Sequence, residues 1–174
     1  MRSKGNTGKI TMVSVNSNSP QKADANHFHK RTHAMNTFQT SREIAATPTA
    51  VFAAIAAPER LAKWWGPAGF SNSFEVCNFR PGGEWRFTMH GPDGKSYPNQ
   101  SVFETIEVAR KVVVRHVCAP LFRLSIELLP SATGTQVLWT QVFDDPAVAA
   151  AVRHVVEPAN EQNLDRLAAE VAAA

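Results

Sequence analysis

Hydrophobic and polar positions along this chain change period three times. From Thr37 to Ala46, TFQTSREIAA alternates well enough to predict a first strand. Thr47-Pro48 then reads as an N-cap followed by a first helical position, and Val51, Phe52 and Ile55 form an apolar face at helical spacing. Ala57-Pro58-Glu59 restarts a second short helix, made amphipathic by Leu61, Trp64 and Trp65 until Gly66-Pro67 stops it.

Beyond this point the period is two. SFEVCNF (Ser73 to Phe79), the turn Pro81-Gly82-Gly83 and EWRFTMH (Glu84 to His90) predict a hairpin, with Trp85, Phe87 and Met89 on one face of its second arm. After the turn residues GPDGK come Ser101 to Ala109, then KVVVRHVC, then FRLSIELL beyond a break at Ala119-Pro120, then Thr133 to Phe143. These make six consecutive strands joined by turns, an antiparallel meander. The last change is back to helix: Asp145-Pro146 suits a helix start, and Leu164, Leu167 and Val171 fall at i, i+3 and i+7. Pro158 predicts a break or kink near Val156 to Glu157. One strand, two short helices, six strands and one long helix predict an α+β fold. Its antiparallel sheet needs a cover, and only the C-terminal helix is long enough to provide one.

Composition narrows the picture. Of the 174 residues, 44% are hydrophobic and 19% charged, which suits one domain with a core large enough to need no disulfide. Residues 1 to 34 differ: they are polar and carry six basic residues against Asp24 alone, which reads as a disordered basic leader before a single domain over 35 to 174. Met35, at that boundary, is an alternative chain start. The net charge of +3 therefore resides in the leader, and the rest is slightly acidic, which argues against a nucleic-acid partner. No stretch has the apolar length of a membrane span or the pattern of a secretory signal, so no membrane insertion and a cytoplasmic location are expected. Cys77 and Cys118 read as free thiols in such a compartment. His27, His29 and His33 lie in the leader, with no scaffold to hold a metal.

Candidate chemistry is sparse. No nucleophile elbow, zinc-protease helix or phosphate-cradling glycine loop occurs, so no catalytic residue, metal or cofactor is assigned. Rings are plentiful instead. Many aromatic side chains plus methionine on same-parity strand positions suit a cavity for a flat or irregular apolar ligand. Candidate wall residues are Trp64, Trp65, Trp85, Phe87, Met89, Phe103, Phe122, Leu124 and Trp139. His116 shares parity with Val112 and Val114, and Gln141 with Val137 and Trp139, so both are candidates to orient a ligand. Helical neighbours differ by about 100° in direction, so Trp64 and Trp65 divide the roles of anchor and cavity wall.

The segments ATPTAVFAAIAAPERLAKWWGPAGF, FRPGGEWRFTMHGPDGKSYPNQSVFETIE and NLDRLAAEV together resemble the family of activator of heat-shock-protein ATPase homologues, within the START-like (SRPBCC) helix-grip superfamily. Its marks here are the double tryptophan before Gly-Pro, the Pro-Gly-Gly hairpin leading to Trp-Arg-Phe, and the Gly-Pro-Asp-Gly turn, and the resemblance spans residues 37 to 172. The chain departs at Pro158-Ala159-Asn160-Glu161, where the family usually has Gly-Trp. The resemblance implies a helix-grip fold with a hydrophobic cavity between sheet and C-terminal helix. The expected function is non-enzymatic binding of an aromatic or lipid-like molecule. The alternatives are a cyclase or dehydratase using His116 with a carboxylate, and a co-chaperone-like interaction module. Expected partners are that small molecule and, optionally, a second copy of the chain.

Overall fold

The computed structural model describes residues 35–174; the leader inferred at 1–34, with its three histidines, lies outside the described residues. Strand β1 (Thr37–Ile44) leads into helices α1 (Pro48–Ala56) and α2 (Pro58–Trp64). Six strands follow: β2 (Ser71–Cys77), β3 (Gly83–His90), β4 (Ser96–Glu107), β5 (Lys111–His116), β6 (Phe122–Pro130) and β7 (Thr135–Phe143). Helix α3 (Pro146–Ala172) closes the chain. All neighbouring strands are antiparallel in the order β1-β7-β6-β5-β4-β3-β2, so the meander β2 to β7 is completed by β1 pairing back onto β7. The curved sheet and the long helix it holds make this the helix-grip α+β fold.

Local chemistry accounts for the boundaries. Thr47 caps α1 by accepting the Ala50 N–H at 3.2 Å, and Asp145 caps α3 by accepting that of Ala147 at 2.8 Å. In β7 every second residue, from Thr135 through Val137, Trp139 and Gln141 to Phe143, is buried, the pattern of a strand with one face on a core. The outer face carries ion pairs instead, Arg123 to Glu104, Lys111 to Glu127 and Arg115 to Asp144. Exposed pairs of this kind add little to stability, because solvent screens them. In β4 the register shifts between Phe103 and Thr105, and in β2 between Phe74 and Val76. The extra residue in β4 turns Phe103 and Ile106, three apart, toward the same core.

Two elements differ from the pattern reading. Strand β4 begins at Ser96, five residues before the alternation becomes visible, and so runs through Pro98. Proline is tolerated there because β5 ends opposite Ser101 and leaves that stretch paired on one side only. Helix α3 runs unbroken through Pro158. Both Pro158 and His154, whose carbonyl loses its usual helical donor, are exposed, so water can serve the carbonyl and the ring meets no packed neighbour.

The core is in two parts. The larger joins α1, α2 and the C-terminal half of α3 to the sheet through Val51, Ile55, Leu61, Trp64, Trp85, Ile126, Leu164 and Leu167. The smaller gathers Phe38, Phe143 and Ala149, with Val152 and Val156 against them, under the N-terminal half of α3.

The β2–β3 turn offers a sharp test. A Cβ on Gly83 would stand 1.9 Å from the Asn78 carbonyl oxygen, whereas Gly82, at φ +76°, has open space around it. Gly83→Ala should therefore cost about 2 kcal/mol or more in chemical denaturation, and Gly82→Asn less than about 1 kcal/mol. Equal losses would show that the turn is not built this way.

Candidate functional site

The gap between the two core parts is a chamber of about 360 Å³, toward the lower end of the range for small-molecule pockets. Trp65, Phe87, Met89, Val114, Leu124 and Trp139 wall it on the side of the larger core, and Phe143, Val152 and Val156 on the other. Phe122 packs against both parts and joins them. Two lining residues are open to solvent, Val155 of α3 at 57% exposure and Pro120 in the β5–β6 loop, so the mouth lies between them.

The tryptophan pair resolves cleanly. Trp64, the last residue of α2, is fully buried, and its indole N–H donates to the Ala54 carbonyl at 2.9 Å, tying α2 to α1. Trp65 has already left the helix, with φ −63° and ψ 133°, and this extended backbone swings its ring into the chamber wall. Its ring centroid lies 5.5 Å from Trp64, 4.7 Å from Trp85, 6.3 Å from Phe87 and 5.7 Å from Trp139. One ring thus organises four others.

Helix α3 holds the loop after Trp65 in place. Arg166 donates to five backbone carbonyls, those of Trp65, Gly66 and Pro67 at 3.2, 2.8 and 2.9 Å and those of Lys63 and Phe70 at 2.6 and 2.9 Å. Asn163 accepts the Gly66 N–H at 2.7 Å, and Gln162 that of Ala68 at 2.9 Å. Lys63 among them belongs to the last turn of α2, where Asn72 also donates to the Ala62 carbonyl, so the orphaned end of the helix is served from two sides. Burial lowers the Arg166 pKa, and the five carbonyl dipoles face its charge in place of a carboxylate.

Polar groups enter the chamber at two places. Asn160 of α3 donates to the Gln141 side-chain oxygen at 3.0 Å in a buried contact between helix and β7. That bond leaves the Gln141 amide nitrogen and the Asn160 oxygen to other partners, and the indole N–H of Trp139 in the same wall is buried with none. At the other place, His116 Nδ1 lies 2.8 Å from the Pro120 carbonyl oxygen and Nε2 lies 3.0 Å from Asn99 Oδ1. The ring stacks on Phe122 at 4.5 Å, nearly parallel. Burial is the main influence on His116 and lowers its pKa, adding to the charge of Arg115 and outweighing the bond to Pro120.

Of the residues singled out from the sequence, Trp65, Phe87, Met89, His116, Phe122, Leu124, Trp139 and Gln141 line the chamber. Trp64, Trp85 and Phe103 do not. Trp85 and Phe103 stack at 5.4 Å beneath Trp65, and both are 1% exposed, so they fill core. Asn99, Ser101, Asn160 and Asn163 also line the chamber, and sequence reasoning missed them. Asn99 sits in the unrecognised start of β4; Asn160 and Asn163 share a helical face with Leu164 and Leu167, a periodicity that could have found them. A larger groove of about 600 Å³ runs between β1 and α3. Its walls mix Met35, Phe38 and Pro158 with the ion pair Arg153–Glu157 and a bond between Thr40 and Glu161, a lining more polar than the chamber's and so less suited to an apolar guest. Among the described residues no cluster of three or more histidine, cysteine or carboxylate groups could hold a metal, and no helix is long and apolar enough to cross a membrane.

The model of a family described as Activator of Hsp90 ATPase homolog 1-like protein matches residues 45–172. Among solved structures, the fold resembles a protein from Nitrosomonas europaea at 23% identity and TM-score 0.73, covering 79% of this chain and 95% of that one. A protein from Arthrobacter aurescens is similar at 20% identity and TM-score 0.73, covering 80% and 88% of the two chains. The AHSA1-like protein from Aeromonas hydrophila is similar at 18% identity and TM-score 0.62, covering 79% and 92%. Identities this low speak to the fold alone. No curated protein matches the sequence.

Arg166→Lys leaves one ammonium to serve what the guanidinium fork serves, and Arg166→Met leaves none. Arg166→Met should cost roughly 2–4 kcal/mol and Arg166→Lys nearly as much. Both should speed hydrogen exchange at Gly66 and Ala68 more than in the sheet. Unchanged exchange in that loop would show that Arg166 does not hold it.

Proposed function

The chain belongs to the Activator of Hsp90 ATPase homolog 1-like family, and from that membership and the chamber's lining we propose that it binds a hydrophobic small molecule between sheet and α3 without transforming it. The observation that carries this reading is the chamber itself: rings and aliphatic groups from β3, β5, β6, β7 and α3 surround space that the protein leaves unfilled. Tight cores do not leave such space, because each unfilled methyl-sized volume costs about 1 kcal/mol. Trp65, Phe87, Met89, Phe122, Leu124 and Trp139 supply flat and adaptable contact area. Gln141 and Asn160 offer one amide donor and one acceptor side by side, and His116 and Ser101 sit at the other end. The ligand class that fits is an apolar body, aromatic or acyl, with a carbonyl, amide or hydroxyl at one end. A buried polar group leaves an unmatched ligand with unpaired partners, so these few groups set selectivity rather than most of the affinity.

The test is displacement of an environment-sensitive apolar dye, 1-N-phenylnaphthylamine, combined with native mass spectrometry of protein purified from its own host. Saturable dye binding at one site is expected. Val156→Trp, which puts a ring into the chamber from the half-buried face of α3, should weaken it about tenfold or more. Arg153→Met, in the outer groove, should not. No saturable binding, or equal binding by Val156→Trp with its circular dichroism unchanged, would sink the reading.

A further inference from the structure

Cys118 lies in the β5–β6 loop between His116 and Pro120, which both line the chamber, and is not itself part of that lining. It is half-buried, and its Sγ stands 3.4 Å from His116 Nε2. The surrounding contacts decide where the protons sit. His116 Nδ1 faces the Pro120 carbonyl at 2.8 Å; a carbonyl can only accept, so Nδ1 carries the hydrogen and Nε2 presents a lone pair. The thiol S–H is the donor within reach of that lone pair. When Nε2 takes the proton it becomes a donor, and Asn99 Oδ1, 3.0 Å away, is in place to accept from it. The Asn99 amide is held in that sense by its own nitrogen, which donates to the Tyr97 carbonyl at 2.7 Å. The sulfur is provided for too, since the backbone N–H of Gln100 points at Sγ from 3.4 Å and can stabilise a thiolate. The thiolate–imidazolium state thus has its partners already built, while in the thiol–imidazole state the Asn99 oxygen faces the Nε2 lone pair, so the surroundings favour proton transfer from sulfur to ring.

We propose that Cys118 and His116 form a nucleophilic pair that adds covalently to apolar α,β-unsaturated carbonyl compounds entering the chamber. The proposal rests on the apolar-binding reading for its choice of electrophile, and on the Cys118 contacts for the chemistry. In the reaction, His116 Nε2 takes the thiol proton and the sulfur lone pair forms a bond to the β carbon. The π pair of the alkene moves onto the α carbon and carbonyl oxygen, and the proton returns from His116 to the α carbon. The product is a thioether holding all the atoms of both reactants, with no oxidant, reductant or leaving group. His116 is the base by position, its Nε2 being 3.4 Å from Sγ. The charged neighbours on its strand, Arg115 and beyond it Lys111, point to the outer face and are paired with Asp144 and Glu127. The second thiol makes an internal control: Cys77, half-buried in β2 with no comparable partner among the described residues, has its pKa pushed up by burial to about 11.

The experiment uses the full chain as Cys77→Ser, leaving Cys118, and as Cys118→Ser, leaving Cys77. Rates of adduct formation at pH 7 are read by intact mass. With N-ethylmaleimide, Cys118 should react at least about tenfold faster than Cys77 and faster than N-acetylcysteine, and His116→Gln should slow it about tenfold. The comparison with N-acetylcysteine needs no variant at position 116, so a folding defect in His116→Gln cannot hide the answer. With trans-2-nonenal against acrolein, Cys118 should prefer the longer, apolar enal several-fold more than N-acetylcysteine does, and Val156→Trp should abolish that preference. A Cys118 no faster than N-acetylcysteine, or indifferent to His116→Gln, overturns the pair and leaves apolar binding standing. A fast Cys118 with no preference for nonenal overturns the chamber as the source of its substrate.

Discussion

Everything about the site depends on one cation placed among carbonyls. Arg166 sits on the sheet side of α3, its charge partly withdrawn from water, and spends its donors on five carbonyl oxygens of residues 63–70 rather than on a carboxylate. A carbonyl offers about half a hydrogen-bonding charge, so no single one would compensate a half-buried guanidinium; five converging ones can. The geometry forces the chain to reverse immediately after α2. That reversal places Trp65 in extended backbone, where its ring leaves the helix axis and meets Trp85, Phe87 and Trp139. Asn163 and Gln162 reinforce the same loop from the same helix, one turn earlier. The grip of the helix is therefore a set of polar contacts at one end of the chamber, and the aromatic wall follows from it.

The chamber stays open because of what α3 carries in the middle. Its N-terminal half presents Ala149, Val152 and Val156 to the smaller core, and its C-terminal half presents Leu164, Leu167 and Val171 to the larger one. Between them the sheet-facing positions are Asn160 and Asn163, with Pro158 on the solvent side. On α3 no large apolar side chain spans the two cores, and the polar ones that stand there are engaged with Gln141 and the Gly66 loop. A single leucine or phenylalanine at position 160 would fill the gap and lose the bond to Gln141. A ligand-sized space and a few oriented polar groups are thus two consequences of the same short stretch.

Much of the fold was legible because period and punctuation agree over most of the chain. The strict alternation in β6 and β7, the Thr47-Pro48 and Asp145-Pro146 caps and the Pro81-Gly82-Gly83 turn are local signals, and local structure followed them. Inward parity carried His116 and Gln141 to the chamber for the same reason. Depth was not legible: Trp85 and Phe103 lie on the same face as Phe87, yet whether a ring lines a cavity or lies beneath another ring depends on Trp65, which arrives from a different element. Of the break or kink expected at Pro158, the break does not occur, because a proline on the exposed face of a helix has nothing to clash with beyond its own backbone. Arg166, Asn163 and Asn99 act on segments roughly a hundred residues or one folded loop away, and no spacing announces such partners. The Cys118–His116 contact is close in sequence and could have been noticed as an HxC on a strand end. What gives it meaning, the Pro120 and Asn99 oxygens around the ring, is tertiary.

The central claim, that Trp65 and Trp139 wall a chamber which receives an apolar guest while Trp64 and Trp85 are core, can be tested in one spectrum. The chain has four tryptophans, each giving one indole N–H signal. In a nitrogen–proton correlation experiment, titration with 1-N-phenylnaphthylamine should move the Trp65 and Trp139 indole signals furthest. The Trp64 signal, fixed by its bond to the Ala54 carbonyl, should stay in place, and Trp85 should follow only weakly through its contact with Trp65. Shifts largest at Trp64, or confined to β1 and the outer groove with all four indoles unmoved, would contradict the account.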